Sequence, residues 1–160
     1  MKKALFLIVI AVLAVVQVTV LDAARVWGVK PDLLLIAMVI ASLSFDFKWA
    51  VSFAFICGAL KDMFFAMRFG VNAVLFTLLA FSIYKLSRKI FIEDELSCLI
   101  LAFAVAFANN LVLFFVFLFK SISVAPVSFF RIGLFGSIYT ALSFLLIYRL
   151  VKPLLGNEIS

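Results

Sequence analysis

The chain contains no histidine and little charge: only 14% of its 160 residues are Asp, Glu, Lys or Arg. Without histidine, the commonest general base and metal ligand is missing. A Ser–Lys dyad is the remaining intramembrane option, and the conceivable pair, Ser52 with Lys61, stands nine residues apart on one predicted helix. That is about 13–14 Å of rise, too far for a hydrogen bond. No Gly-rich phosphate loop, haem motif or repeated carboxylate pair occurs. Neither an enzyme nor a cofactor or metal site is expected. The two cysteines, Cys57 and Cys98, lie within or at the edge of apolar segments, outside any CxxC pair, and read as small core residues.

What fills the sequence instead is apolar: 68% hydrophobic residues and a mean hydropathy of +1.35, against the roughly half-apolar usage of soluble domains. The stretches 4–21 and 96–119 carry no charge at all. In hydrocarbon only helices and closed barrels satisfy their own backbone groups. These runs are apolar on every side and lack the alternation of barrel strands, so helices are expected. The net charge of +6 does not point to nucleic acid, because the 14 Lys and Arg stand singly or in small groups between apolar runs. That is the pattern of topology-setting charge beside lipid headgroups.

Six transmembrane helices in one bundle are predicted, at about 4–21, 31–45, 50–65, 71–84, 96–119 and 127–151, forming a single domain over 1–160. The first follows Lys2 and Lys3 as a signal peptide would, but its 18 residues exceed an h-region of about 7–15. It reads as a retained anchor of about 27 Å. Pro31-Asp32 opens the second helix, with proline in a first turn and an acid beside it. At about 15 residues this helix is short and must tilt little, sit partly in the interface or be shielded by neighbours. Asp46-Phe47-Lys48-Trp49 reads as a polar turn, 85–95 as the clearest loop, and Lys152-Pro153 follows the last helix. Six crossings leave both termini on one side. That side carries Lys2, Lys3, Lys48, Lys85, Arg88, Lys89, Arg149 and Lys152; the other carries Arg25, Lys30, Lys61, Arg68, Lys120 and Arg131. The excess places both termini in the cytoplasm.

A few polar or small residues stand out against this background. Asp62 lies near a helix end, where an acid must be paired or face protein or water. Lys61 beside it points about 100° away, so Asp62 is expected to cap or pair locally, with Arg68 for instance, or to touch another helix or chain. Asn109 and Asn110 sit mid-span in the fifth helix and read as interhelical hydrogen-bond donors and acceptors. Ala37 with Ala41, and Ala102 with Ala106 interleaved with Ala104 and Ala108, form small-xxx-small pairs that let helices approach closely. The 21 Phe residues read as lipid-facing and packing surface.

Trp27-Gly28-Val29-Lys30-Pro31-Asp32-Leu33-Leu34-Leu35, then Gly58-Ala59-Leu60-Lys61-Asp62, then Phe69-Gly70-Val71-Asn72, resembles in order and spacing the MreD family of rod-shape-determining membrane proteins. Family members often carry further glycines in helix 3, where Phe53 and Phe55 here flank Ala54, a departure that argues against close backbone packing of that helix, although Gly58 remains. The resemblance implies a non-catalytic subunit of the bacterial elongation machinery in the inner membrane, working with MreC, the MreB cytoskeleton and RodA with its penicillin-binding transpeptidase. It points to Pro31, Asp32, Gly58 and Asp62 as residues that position a single-pass partner. A second reading is the substrate-binding component of an energy-coupling-factor vitamin transporter, whose architecture the family resembles. Lys61, Asp62, Asn109 and Asn110 would then converge on a vitamin-sized pocket. Against it, Ala4, Ala11 and Ala14 of helix 1 do not provide the Ala-x-x-x-Ala coupling segment of such components. A structural anchor without a partner is the third.

Overall fold

The computed structural model describes residues 2–19, 29–64, 70–87, 95–119 and 131–155. Within them lie six α-helices: α1 (Lys2–Thr19), α2 (Leu33–Ser44), α3 (Phe47–Phe64), α4 (Val71–Ser87), α5 (Glu95–Phe119) and α6 (Gly136–Leu155). A π-helical turn, Arg131–Phe135, runs directly into α6.

Helix order and number follow the hydropathy, and the differences lie at the ends. The polar stretch 46–49 is not a turn of its own. Phe45 ends α2 in an extended conformation (φ −117°, ψ 160°), and α3 starts at Phe47, with the Ala50 N–H donating to the Asp46 carbonyl at 2.9 Å. Trp49 therefore stands in the first turn of a helix, tilted against Phe53 at 5.8 Å. α4 runs three residues beyond its predicted end, to Ser87, and α6 continues through Pro153 to Leu155. A proline near a helix end removes one hydrogen bond where few remain to be lost. The predicted start of the last helix at 127–130 falls outside the described residues, as do most of the stretch between the first two helices, most of the 85–95 loop, and Arg68.

α2 is the pillar of the structure. Every one of its residues except Leu43 is buried, and it packs on α3 and α4, and also on α1, α5 and α6. Protein surrounds this 12-residue helix, so the apolar side chains along it are covered by other helices. α3 and α4 make the most extensive pairing and α5 pairs with α6, the latter two reaching the other helices chiefly through α2. At one end of the bundle Phe6, Phe45 and Phe53 form a triangle of rings with centroids 5.0–5.1 Å apart. Outside this core the helices turn apolar side chains outward, among them Val74 and Leu78 of α4, Phe119 of α5 and Leu146 of α6.

Two of the described helices are long and apolar enough to cross a membrane on their own, with spans at Glu95–Val116 and Gly133–Leu150. Ala4–Thr19, Leu33–Ser44 and Val71–Ser87 are apolar but shorter.

Candidate functional site

The polar residues that the sequence singles out gather at the end of the bundle opposite the phenylalanine triangle, where α1 and α3 finish and α2 and α4 begin. A helix start leaves its first amides without intrahelical acceptors, and here that start is buried. Pro31, itself buried, leads into Asp32, the N-cap of α2, whose Oδ1 accepts from the Leu35 N–H at 3.1 Å. Gln17 of α1 accepts the Leu34 N–H on Oε1 at 2.9 Å and donates from Nε2 to Asp32 Oδ1 at 3.3 Å. The Asp32 N–H donates to Thr140 Oγ1 of α6 at 3.2 Å. Lys61 of α3 completes the set with an ion pair to Asp32 Oδ2. Three other helices thus satisfy the start of α2.

Lys61 is as deeply enclosed as a core residue, its side chain 6% exposed against 18% for Asp32. An ammonium in such a place is tolerable only when paired, and Lys61 also lies over the Phe76 ring, 4.9 Å from its centroid, where the ring's negative face favours a cation. Its neighbour Asp62 turns the other way, as one residue's rotation on a helix requires. Asp62 Oδ1 accepts from the Asn72 N–H at 3.2 Å and from Asn72 Nδ2 at 2.7 Å, and Oδ2 accepts from the Ala73 N–H at 2.9 Å. A carboxylate at a helix N-terminus meets both free amides and the positive end of the dipole. Two consecutive residues of α3 therefore hold the N-termini of two different helices, Lys61 that of α2 and Asp62 that of α4.

Gly58, one turn earlier on α3, makes this possible. A Cβ there would stand 2.5 Å from both Ala73 Cα and the Asn72 carbonyl oxygen, so α3 and α4 meet backbone to backbone at the height where Asp62 reaches across. Gly70, with φ 78°, is in the left-handed region that glycine enters without a Cβ penalty, and its carbonyl accepts the Val74 N–H at 3.1 Å as α4 begins.

The remaining candidates lie farther along α2 and on α5. Ala37 and Ala41 are buried in α2, and Ala102 and Ala106 in α5, whereas Ala104 is exposed. Asn110 Nδ2 donates to Ser137 Oγ of α6 at 3.2 Å. Asn109 is 2% exposed, and its Oδ1 is without a hydrogen-bond partner among the described residues. Lys61, Asp62 and Asn110 are thus committed to three separate partners, Asp32, Asn72 with Ala73, and Ser137. A cleft of about 530 Å³ is lined by Gly70, Val71, Val74, Leu75, Leu78 and Val112. Its lining is apolar. No group of three or more His, Cys, Asp or Glu placed to hold a metal ion occurs among the described residues.

Sequence reasoning missed Gln17 and Thr140. The signal for Gln17 was there: it is the sole amide in the 4–21 run, and an amide in hydrocarbon needs partners. Thr140 had none, since a threonine in a helix can satisfy its hydroxyl on its own preceding turn, as Thr19 does on the Val15 carbonyl at 2.8 Å.

The family model described as rod shape-determining protein MreD matches residues 2–155. No curated protein and no solved structure matches the chain.

Proposed function

Since the chain belongs to the MreD family of rod shape-determining membrane proteins, we propose that it works in cell-shape determination as a non-catalytic subunit of the elongation complex. In this reading it scaffolds an MreC-like protein and a RodA-like glycosyltransferase with its penicillin-binding transpeptidase, and acts indirectly on MreB. The family match over 2–155 carries the proposal. It takes in both helix-start clamps and all six helices. The chain's means of action are helix surfaces, because its enclosed charges are used up inside.

The six helices are read as six crossings of one bundle, with both termini in the cytoplasm and a plan similar to energy-coupling-factor substrate-binding components. The excess of Lys and Arg on the terminal side supports that orientation. The enclosure of α2 supports counting a 12-residue helix among the crossings, since a helix wrapped by others need not match the bilayer thickness.

The role proposed for Pro31, Asp32, Gly58 and Asp62 is to hold the frame that presents a partner-binding surface. Pro31, Gly58 and Asp62 are buried and Asp32 largely so, so their influence on a partner passes through the helices whose starts they fix. Affinity purification of the tagged protein in mild detergent tests the function. Recovery of MreC-like and RodA-like proteins is expected. Their absence together with a bound metabolite would favour the transporter reading. Charge reversal at Asp32 and at Asp62 should reduce that recovery, and unchanged recovery would remove these residues from the mechanism.

A further inference from the structure

Helices inside a bilayer gain little from the hydrophobic effect by associating, since lipid tails are as apolar as the side chains they replace. Docking has to come from packing and hydrogen bonds. α1 has little packing to offer. It buries one stripe, Phe6, Ile10, Ala14 and Gln17, about one residue per turn, and exposes Leu5, Ile8, Val12 and Val15. Its neighbours are α2 and α3. At one end of the stripe Phe6 enters the ring triangle with Phe45 and Phe53. At the other end Gln17, 5% exposed, uses both atoms of its amide.

That amide bond has a direction. Nε2 donates to the carboxylate that caps α2, and Oε1 accepts a backbone N–H from the first turn of the same helix. Sliding α1 by one residue would turn position 17 by about 100° and break both bonds. The stripe of Phe6, Ile10 and Ala14 offers no such discrimination, since apolar contacts are tolerant of small shifts. The carboxylate that Gln17 meets is also the one that pairs with Lys61.

We infer that Gln17 is the positioning residue that fixes α1 in register on the bundle, through its two-way bond to the Asp32 carboxylate and the Leu34 amide. The first helix is then a keyed wall of the bundle, distinct from a membrane anchor that merely lies beside it. This goes beyond the shape-determining role and does not depend on it.

The test uses the full chain with a protease site inserted between residues 20 and 28 and an affinity tag on the C-terminus. After cleavage in mild detergent, the N-terminal fragment should co-elute with the tagged remainder. In Gln17→Leu its retention should fall at least tenfold. Thr140→Val removes the hydroxyl of α6 that accepts the Asp32 N–H and so disturbs the same helix start without touching α1; the fragment should stay bound in that variant. A loss caused by general damage to the start of α2 would appear in both variants. Loss of the fragment from the unsubstituted protein, full retention in Gln17→Leu, or release of the fragment by Thr140→Val as readily as by Gln17→Leu would each overturn the inference.

Discussion

Gly58 and Lys61 show how narrow the tolerance is for single residues. Replacing Gly58 by Ala sets a Cβ 2.5 Å from backbone atoms of α4, and a backbone cannot swing aside as a side chain can. The helices must separate, at a cost of about 1–3 kcal/mol for overpacking. Thermal unfolding in detergent should register this as a clear drop in Tm. Replacing Lys61 by Met leaves Asp32 without its cation in a largely enclosed place, and breaking one side of such a pair costs about 3–5 kcal/mol. Asp32 retains some exposure, so the low end applies. Adding Asp32→Asn to that variant should recover much of the loss in the same measurement, because Asn caps a helix about as well as Asp. Lys61 and Asp62 were conspicuous in the sequence as charges near a helix end, and their divergence by about 100° followed from helix geometry. Which helix each one serves was not legible, because Asp32 and Asn72 reach them only through the packing of α2 and α4 on α3.

For whole helices, the start of α4 depends on a carboxylate from another helix. Asp62→Ala removes the acceptor for the Asn72 and Ala73 amides. Loss of a cap of this kind costs about 0.5–2 kcal/mol. The expected signature is local: amide hydrogen exchange should quicken around Asn72 and Ala73 while the buried centre of α2 stays protected. Accelerated exchange throughout α2 would contradict that. The α5–α6 pairing should be less sensitive. Asn110→Leu deletes the bond to Ser137, and interhelical hydrogen bonds in membranes are worth about 0.6 kcal/mol on average, so its effect on Tm should be much smaller than that of Gly58→Ala. The helices themselves were readable from uninterrupted hydropathy. Their ends were read less well, because a helix end is decided by what satisfies its last amides and carbonyls: α3 starts at Phe47 within a polar stretch, and α6 runs through Pro153 to Leu155 although proline reads as a stop.

At the scale of the molecule, topology is the claim to test. A green fluorescent protein fused after residue 160 should fluoresce in intact cells, since the proposed orientation places that end in the cytoplasm. A dark but stably inserted fusion would reverse or change the parity of the bundle. In the proposed orientation the polar clamps would lie toward the outer face and the Phe6, Phe45 and Phe53 triangle toward the inner one. That arrangement also puts the Arg149–Glu95 ion pair, 2.6 Å between Nη2 and Oε2, at the inner ends of α5 and α6.

Composition and hydropathy alone were enough to say that the chain is helical, with the six α-helices of its described residues in this order. These follow from composition and from the length of apolar runs, which act along the chain. The spacing of Lys30-Pro31-Asp32, Gly58 to Asp62 and Gly70 to Asn72 also sufficed to suggest the family to which the chain belongs. It took the packing of the helices to show that α2 is the enclosed pillar, that Lys61 and Asp62 divide between two helix starts, and that Gln17 and Thr140 complete the first of them. Those are relations between residues 17, 32, 61 and 140, far apart in the chain. A buried helix start can accept any correctly placed donor or acceptor, and nothing in local sequence says which helix will supply it.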